Sequence, residues 1–478
     1  MKIRELFDNI DSDIEVTGVE INSKNCKKGD IFVCVKGATV DRHDFIDDAI
    51  EHGAVLAVVS KDVGEKDIPV IKVDNPDDEL PIICQKVYDY PNKKLTMIGV
   101  TGTDGKTSVS TIIQTLIGDD LCGYIGTNGI SSRKVNEDNP NTTPAPNILY
   151  RVFNKFYETG CKYASIEASS EAFLYGRLKY LEFDAAILTN ITSEHLNHHG
   201  TFENYLDCKL NLFRQTKKTG ICVINKDDPH YEDFKNASNG RVVTYGRGKD
   251  NDLIIENFEI YYDHTDINFR YKDDSIFLRS PMLGDFNVYN LAAALLTLLE
   301  LGLDKDHIMD NVKNIKVNGR LAMVNTNSDY YVMVDYAHTP NGIYNVLNFV
   351  KSLKLNSVIV VIGQAGERDA SKRPKVGNVV LENADYAIFT YEDPRSEDPV
   401  EICNEIVSEA KDKYDNYEII IDRKEAINKA IKMAKENDIV LILGKGNENY
   451  QKIGKEVIHF NDIEEAKKAI NERNSEKN

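Results

Sequence analysis

GVTGTDGKTS, residues Gly99 to Ser108, follows the apolar, β-prone run Leu95–Ile98 and precedes a helical pattern over Val109–Ile117. A strand that ends in closely spaced glycines and then Lys-Thr wraps backbone N–H groups around a polyphosphate. Gly102 and Gly105 let the main chain approach, Lys106 reaches the outer phosphates, and the Thr107 hydroxyl faces Mg²⁺. The common spelling of this loop asks for a glycine five residues before Gly105, where this chain has Val100. The motif is therefore the narrower T-G-T-x-G-K-T/S. An ordinary Gly-rich strand-to-helix turn is the competing reading, and the Lys-Thr-Ser run argues against it.

Three blocks surround the loop. Residues 1–92 mix short strands (Ile31–Val35, Val55–Val59, Val70–Val73) with a helix around Phe45–His52. Residues 93–322 alternate strands (Tyr163–Glu167, Ala185–Thr189, Ile221–Ile224) with amphipathic helices, the pattern of a parallel sheet covered on both faces, and close near Asn318-Gly319-Arg320. Residues 323–478 alternate again: strands at Tyr331–Val334, Ser357–Ile362, Tyr386–Thr390 and Ile439–Leu443, helices at Asn341–Val350 and Val400–Lys411. The predicted class is α/β in three domains. A central P-loop-type, mostly parallel sheet is flanked by a small N-terminal α/β domain and a C-terminal Rossmann-like domain. The charged tail from Asn471 is expected to fray.

Bulk properties narrow the function. With 58 basic and 77 acidic residues the chain carries −19, which disfavours nucleic acid or an anionic membrane as partner. An anionic nucleotide then needs a local basic site. The eight cysteines show no C-x-x-C pair, so neither a zinc ribbon nor a disulfide framework is expected. The start MKIRELFDNI lacks a long apolar region, and Leu291–Leu299 is too short to span a bilayer. These features predict a cytoplasmic, soluble enzyme, taken as a monomer.

Lys209 stands out in the helix after His199-Gly200-Thr201. Phe202, Tyr205, Leu206, Leu210 and Phe213 form one apolar stripe roughly 140° wide at ~100° per residue, and Lys209 projects from near its middle. Such a lysine snorkels, loses its proton, or is modified. A neutral amine can take up CO₂ as a carbamate and so supply a carboxylate for Mg²⁺. Glu167, at the C-terminal end of its strand, and Glu194-His195, leaving the next strand at the same edge, are further candidate ligands. His198 and His199 are explained by the turn before a helix.

In the third block, Gly363–Asp369, Glu392-Asp393-Pro394-Arg395 and Gly444-Lys445-Gly446-Asn447-Glu448 each follow a strand and should open at one sheet edge. Arg368, Arg395 and Glu448 there suit a zwitterion: guanidinium on carboxylate, acid on ammonium. Solvated surface charge is the competing reading for any one of them.

Together these segments resemble the Mur ligases, ATP-dependent amide-forming enzymes of cell-wall peptide synthesis, and within them the MurE branch, nearly end to end. Asn22-Ser23-Lys24 and Lys28–Phe32 look like that family's uridine-binding domain, with Ser23 at its uridine position. Gly102, Thr103, Asp104, Gly105, Lys106, Thr107 and Ser108 resemble its ATP loop, and Asn287, Asn290, Arg320 and Asp335 match its nucleotide-contacting positions. Thr142, Thr143, Ser169 and Arg177 match positions that hold the muramyl dipeptide. Glu167 and His195 match its metal ligands beside Thr107, and Lys209 its carbamylated lysine (N6-carboxylysine). Arg368, Asp393, Arg395, Gly444 and Glu448 fall where this branch contacts the incoming amino acid.

The resemblance implies ATP and Mg²⁺ as cofactors. It implies UDP-N-acetylmuramoyl-L-alanyl-D-glutamate and a free amino acid as substrates, joined through an acyl phosphate, with Lys106, Lys209, Glu167 and His195 serving the chemistry. Arg395 resembles the arginine of enzymes that select meso-diaminopimelate, whose second carboxylate needs a second cation. The chain departs from the pattern at Asp393 (asparagine is usual), Asn447 (histidine is usual), Gln364-Ala365 and Asp104. A relative adding L-lysine or another amino acid is the near alternative. A nucleotide-gated regulatory protein is the distant one, and it leaves Arg368, Arg395 and Glu448 unexplained.

Overall fold

The computed structural model describes residues 1–7, 10, 12–36, 40–139, 141–192, 194, 196–261, 263–317 and 319–476. His195, Asn318 and residues 477–478 lie outside the described residues. In the first block, Gly18–Glu20, Asp30–Val33, Ala54–Val59 and Val70–Lys72 form an all-parallel, four-stranded sheet. Helix Pro76–Val87 packs against Pro146–Glu158 of the second block.

The central sheet has eleven strands. Its middle is parallel, in the order Leu253–Ile260, Arg241–Gly246, Thr216–Asn225, Phe183–Leu188, Thr96–Thr101, Tyr163–Glu167, Cys122–Gly126. Side chains alternate between two cores. Ile98, Val100, Ala185 and Ile187 join helices Lys106–Ile117 and Asp285–Glu300, whereas Met97, Ala186 and Leu188 join helices Phe202–Arg214 and Pro146–Glu158. A sheet buried on both faces is why these strands are apolar throughout. Antiparallel pairs extend both edges: Gly129–Ser132 with Val135–Glu137, and Thr265–Tyr271 with Asp274–Ser280.

The third sheet has six strands in the order Ala322–Val324, Tyr331–Asp335, Ile439–Leu443, Val358–Ile362, Tyr386–Phe389, Tyr417–Ile419, parallel except the first. Helices Pro340–Ser352, Arg373–Asn383 and Pro399–Val407 cover one face, and Arg423–Met433 and Asp462–Glu476 the other. A hairpin, Tyr450–Ile453 with Glu456–His459, stands beside the sheet.

The tail does not fray where the sequence predicts. Its helix continues through Glu476 because Arg473, only 9% exposed, donates to the carbonyls of Ile431 and Ala434 and lies 4.3 Å over the Tyr330 ring. A guanidinium at the C-terminal end of a neighbouring helix meets the negative pole of its dipole. Among the described residues, no helix is long and apolar enough to cross a membrane, and all eight cysteines are free thiols.

Candidate active site

Strand Thr96–Thr101 runs into the loop 102–105 and then directly into the N-terminus of helix Lys106–Ile117. The loop has no room for side chains at its glycines. At Gly102 (φ +150°) a Cβ would sit 1.8 Å from Thr189 Oγ1, and at Gly105 (φ +85°) 2.5 Å from Asn290 Oδ1. The segment after the next strand grips the loop. Thr103 N–H donates to Asn190 O (2.8 Å), Asp104 N–H to Asn190 Oδ1 (3.1 Å), and Thr189 Oγ1 to Asp104 O (2.6 Å). Asn290 Nδ2 donates to Asn287 Oδ1 (2.9 Å), which fixes the pair behind Gly105. Ser108 is buried in the helix.

Two lysines converge on this turn. Lys106 Nζ donates to Gly102 O and Thr103 O, both at 2.8 Å. Lys209 Nζ donates to the same Gly102 O at 2.7 Å and lies 4.7 Å over the Tyr205 ring. Lys209 is 1% exposed and does not snorkel. Burial, and then the Lys106 charge, hold its amine well below the ordinary lysine range, while burial also lowers Lys106 against the pull of Glu167 and Asp104.

Glu167 is fully buried. Oε2 accepts from Thr107 Oγ1 (2.9 Å) and Thr127 Oγ1 (3.3 Å), and Oε1 from Tyr124 OH (2.6 Å) and Thr127 N–H (2.9 Å). A hydroxyl and a carboxylate meeting at the tip of a phosphate loop are the hard oxygen donors that suit Mg²⁺. Glu194 lines the same cleft, and its Oε1 accepts from Lys372 Nζ of the third block at 2.9 Å. His199 Nε2 lies 3.1 Å from Ser170 Oγ.

The muramyl-dipeptide candidates form a connected rim. Thr143 Oγ1 donates to Glu167 O (2.6 Å), Ser169 N–H to Thr143 Oγ1 (3.2 Å), and Arg177 Nη1 to Thr143 O (2.9 Å). Thr142 Oγ1 lies 3.2 Å from Thr127 Oγ1. Ser23 is apart from them, buried in a short turn of the first block.

In the third block the loops after Val358–Ile362, Tyr386–Phe389 and Ile439–Leu443 open at one edge, and Arg320 stacks 4.6 Å over Tyr336. Asp335 is buried, with its oxygens accepting from Leu321 N–H and Ala337 N–H (both 2.7 Å), and it does not reach the cleft. Lys445, fully buried, donates to Asp393 Oδ1 and Glu448 Oε2, each at 2.8 Å, so both carboxylates already have an internal ammonium. Burial, then the neighbouring Glu448 and Asp393, push the Glu392 carboxyl up to about 7 against the pull of Lys445. Glu392 Oε2 and Arg395 Nε are buried and without hydrogen-bond partners among the described residues. An unpaired acceptor and an unpaired donor, three residues apart, suit the two ends of an amino acid.

A cleft of about 1210 Å³ joins these sets. It is lined by Thr103, Asp104, Gly105, Lys106, Thr107, Thr142, Glu167, Ser169, Arg177 and Lys209, and across from them by Arg320, Arg368, Asp393, Arg395 and Glu448. Gly102, Ser108, Thr143, Asn287, Asn290 and Gly444 are not part of this lining. The sequence reading missed Tyr124, Thr127 and the hairpin, and it placed Glu392 and Lys445 in runs at the sheet edge without giving either a role of its own.

Residues 15–89 match the catalytic domain of the Mur ligase family, 100–298 the Mur ligase middle domain, and 319–446 the Mur ligase glutamate ligase domain. A UDP-N-acetylmuramoyl-L-alanyl-D-glutamate–2,6-diaminopimelate ligase of Bacillus cereus is 38% identical over 468 residues, covering 96% of this chain and 95% of its own length. The Fusobacterium nucleatum protein of that name is 37% identical, covering 98% and 96%. A solved structure of such a ligase aligns over 99% of both chains at 28% identity with a TM-score of 0.67. The MurF ligase of Thermotoga maritima in complex with ADP shares the fold: TM-score 0.72, 20% identity, 98% of this chain and 100% of that one. With all three blocks matched in order and relatives similar from end to end, the chain belongs to the Mur ligase family.

Proposed function

We propose that the protein is an ATP-dependent, ADP-forming ligase that joins an amino acid to UDP-N-acetylmuramoyl-L-alanyl-D-glutamate in peptidoglycan synthesis, with meso-diaminopimelate as the amino acid. The observation that carries this reading is the single cleft in which the Lys106, Glu167 and Lys209 cluster faces Arg368, Arg395 and Glu448 across the second and third blocks. A reaction that joins two substrates needs them brought together from two walls. The similar ligases of Bacillus cereus and Fusobacterium nucleatum support this substrate, and the unpartnered Arg395 Nε supports a carboxylate at the far end of the amino acid.

In this reading the loop from Gly102 to Ser108 cradles the ATP phosphates, with Asn287, Asn290, Arg320 and Asp335 shaping the nucleotide site. Lys106 leaves the Gly102 and Thr103 carbonyls to meet the transferring phosphoryl group. Ser23 holds the uridine end of the acceptor, while Thr142, Thr143, Ser169 and Arg177 hold the dipeptide. Thr107, Glu167, His195 and Lys209 as its carbamate would hold Mg²⁺, which neutralises charge on the phosphates. The depressed Lys209 amine supports carbamylation, since only the neutral amine adds to CO₂. The γ-phosphoryl group passes to the terminal carboxylate of the dipeptide. The amine of the amino acid then attacks the acyl phosphate, and the tetrahedral intermediate expels phosphate. Arg368, Asp393, Arg395, Gly444 and Glu448 form the amino-acid subsite.

Phosphate release measured with the UDP-linked dipeptide and a panel of amino acids tests this. Release that requires both substrates and is fastest with meso-diaminopimelate supports it. ATP hydrolysis indifferent to either substrate points instead to a regulatory nucleotide switch.

A further inference from the structure

The two oxygens of the buried Glu167 carboxylate have different kinds of partner. Oε1 accepts from Tyr124 OH (2.6 Å) and from the Thr127 N–H (2.9 Å). Tyr124 is 2% exposed and stands on strand Cys122–Gly126, which pairs in parallel with Tyr163–Glu167. Its phenol oxygen accepts from the Asn128 N–H (3.2 Å), so the phenol proton is left for Glu167. Gly126 lets these groups meet, because a Cβ there would collide with both Glu167 Oε1 and Tyr124 OH.

Oε2 is held more loosely. It accepts from Thr107 Oγ1 (2.9 Å) and Thr127 Oγ1 (3.3 Å), two hydroxyls that can rotate and release it. Thr107 stands in the first turn of the helix behind the phosphate loop and lines the cleft. Among the described residues, Tyr124 is not part of that lining. Oε1 is therefore engaged from inside the protein by a backbone N–H and a packed phenol. Oε2 is the oxygen that a cation in the cleft can take.

We propose that Tyr124 is a positioning residue that keeps Glu167 Oε1 away from the cation, makes Glu167 a one-oxygen ligand, and so favours Mg²⁺ over Ca²⁺. Ca²⁺ takes more oxygens at longer distances and accepts a carboxylate through both of its oxygens. Mg²⁺ is smaller and demands near-octahedral geometry. A carboxylate with one oxygen already occupied by donors suits the smaller ion. Groups that orient a ligand without touching the metal commonly set its affinity. This inference rests on the metal role of Glu167 in the proposed function above.

The test measures Mn²⁺ bound to the full chain by electron paramagnetic resonance, without nucleotide, and displaces it with Mg²⁺ or with Ca²⁺. Mn²⁺ bound by the parent and lost in Glu167→Gln marks the site. The readout is the ratio of the Mg²⁺ and Ca²⁺ displacement constants, in the parent and in Tyr124→Phe. Tyr124→Phe should weaken Mg²⁺ about tenfold and Ca²⁺ much less, so that the preference for Mg²⁺ narrows several-fold. A purely structural role for the phenol would weaken both ions alike, and an unchanged ratio would overturn the proposal. If Tyr124→Phe melts below the assay temperature, Gly126→Ala, which pushes the same two groups apart, decides with the same expectation. Mn²⁺ bound equally by the parent and Glu167→Gln would overturn the proposal together with the metal role of Glu167. The ligase reading fails separately, through ADP release by the parent that ignores both of its other substrates.

Discussion

Replacing Glu167 by glutamine separates its structural work from its chemical work. Four donors point at the carboxylate: Thr107 Oγ1 and Thr127 Oγ1 on Oε2, Tyr124 OH and Thr127 N–H on Oε1. Alanine would leave them all unpaired, at about 1–3 kcal/mol for each buried group, and would unfold the site. Glutamine keeps the shape. Its oxygen must face the Thr127 N–H, which cannot reverse, so its NH₂ faces the Thr107 and Thr127 hydroxyls, which can rotate to accept.

Exchanging bonds to a charged acceptor for neutral ones costs about 1 kcal/mol apiece, partly offset because no charge is buried. The net is about 1–3 kcal/mol, which at about 2–4 °C per kcal/mol lowers Tm by roughly 2–12 °C. Turnover falls much further. The variant keeps a neutral oxygen where the proposed Mg²⁺ site needs an anionic one, and loss of one preorganised charge-stabilising group costs about a hundredfold or more in kcat. The assay is ADP release under saturating substrates, with a Mg²⁺ titration beside a thermal melt. A folded Glu167→Gln protein within threefold of the parent kcat, with unchanged Mg²⁺ dependence, would refute the reasoning.

Lys209→Ala should lose most of the turnover, and added bicarbonate should not restore it; near-normal ADP release from that variant rules out the carbamate. Glu392 gives a pH signature. Its folded value of about 7 lies above the ordinary 4.5, so the folded state holds a proton that the unfolded chain has already lost. Its contribution is complete below pH 4.5 and fades as pH rises through 7. Urea midpoints should therefore fall across that window in the parent and flatten in Glu392→Gln; an equal slope in both contradicts the assignment.

What the sequence made legible was local or periodic. The phosphate loop follows from Gly102, Gly105 and Lys106 within five residues, and Lys209 betrays itself by interrupting an apolar stripe on its own helix. Ile98 and Val100 read as one apolar run, although they share one core while Met97 lies in the other, because both faces of the sheet are buried. What stayed hidden depends on pairing across the chain. Tyr124 reaches Glu167 only because the strands Cys122–Gly126 and Tyr163–Glu167 are neighbours in the sheet. Glu194 meets its ammonium partner Lys372 only across 178 residues of chain. Asp393 meets its ammonium partner Lys445 only across 52 residues of chain. The helical tail likewise rests on Arg473 meeting carbonyls of another helix, which no local pattern announces.

Oxygen transfer gives the most direct test of an amide ligase working through an acyl phosphate. The terminal carboxylate of the UDP-linked dipeptide is labelled with ¹⁸O, and the released phosphate is analysed by mass. If the carboxylate attacks the γ-phosphoryl group and the amine later expels phosphate, one labelled oxygen leaves with each phosphate for each amide formed. Amide formation with unlabelled phosphate, or labelled carboxylate recovered intact while ADP accumulates, would contradict the account.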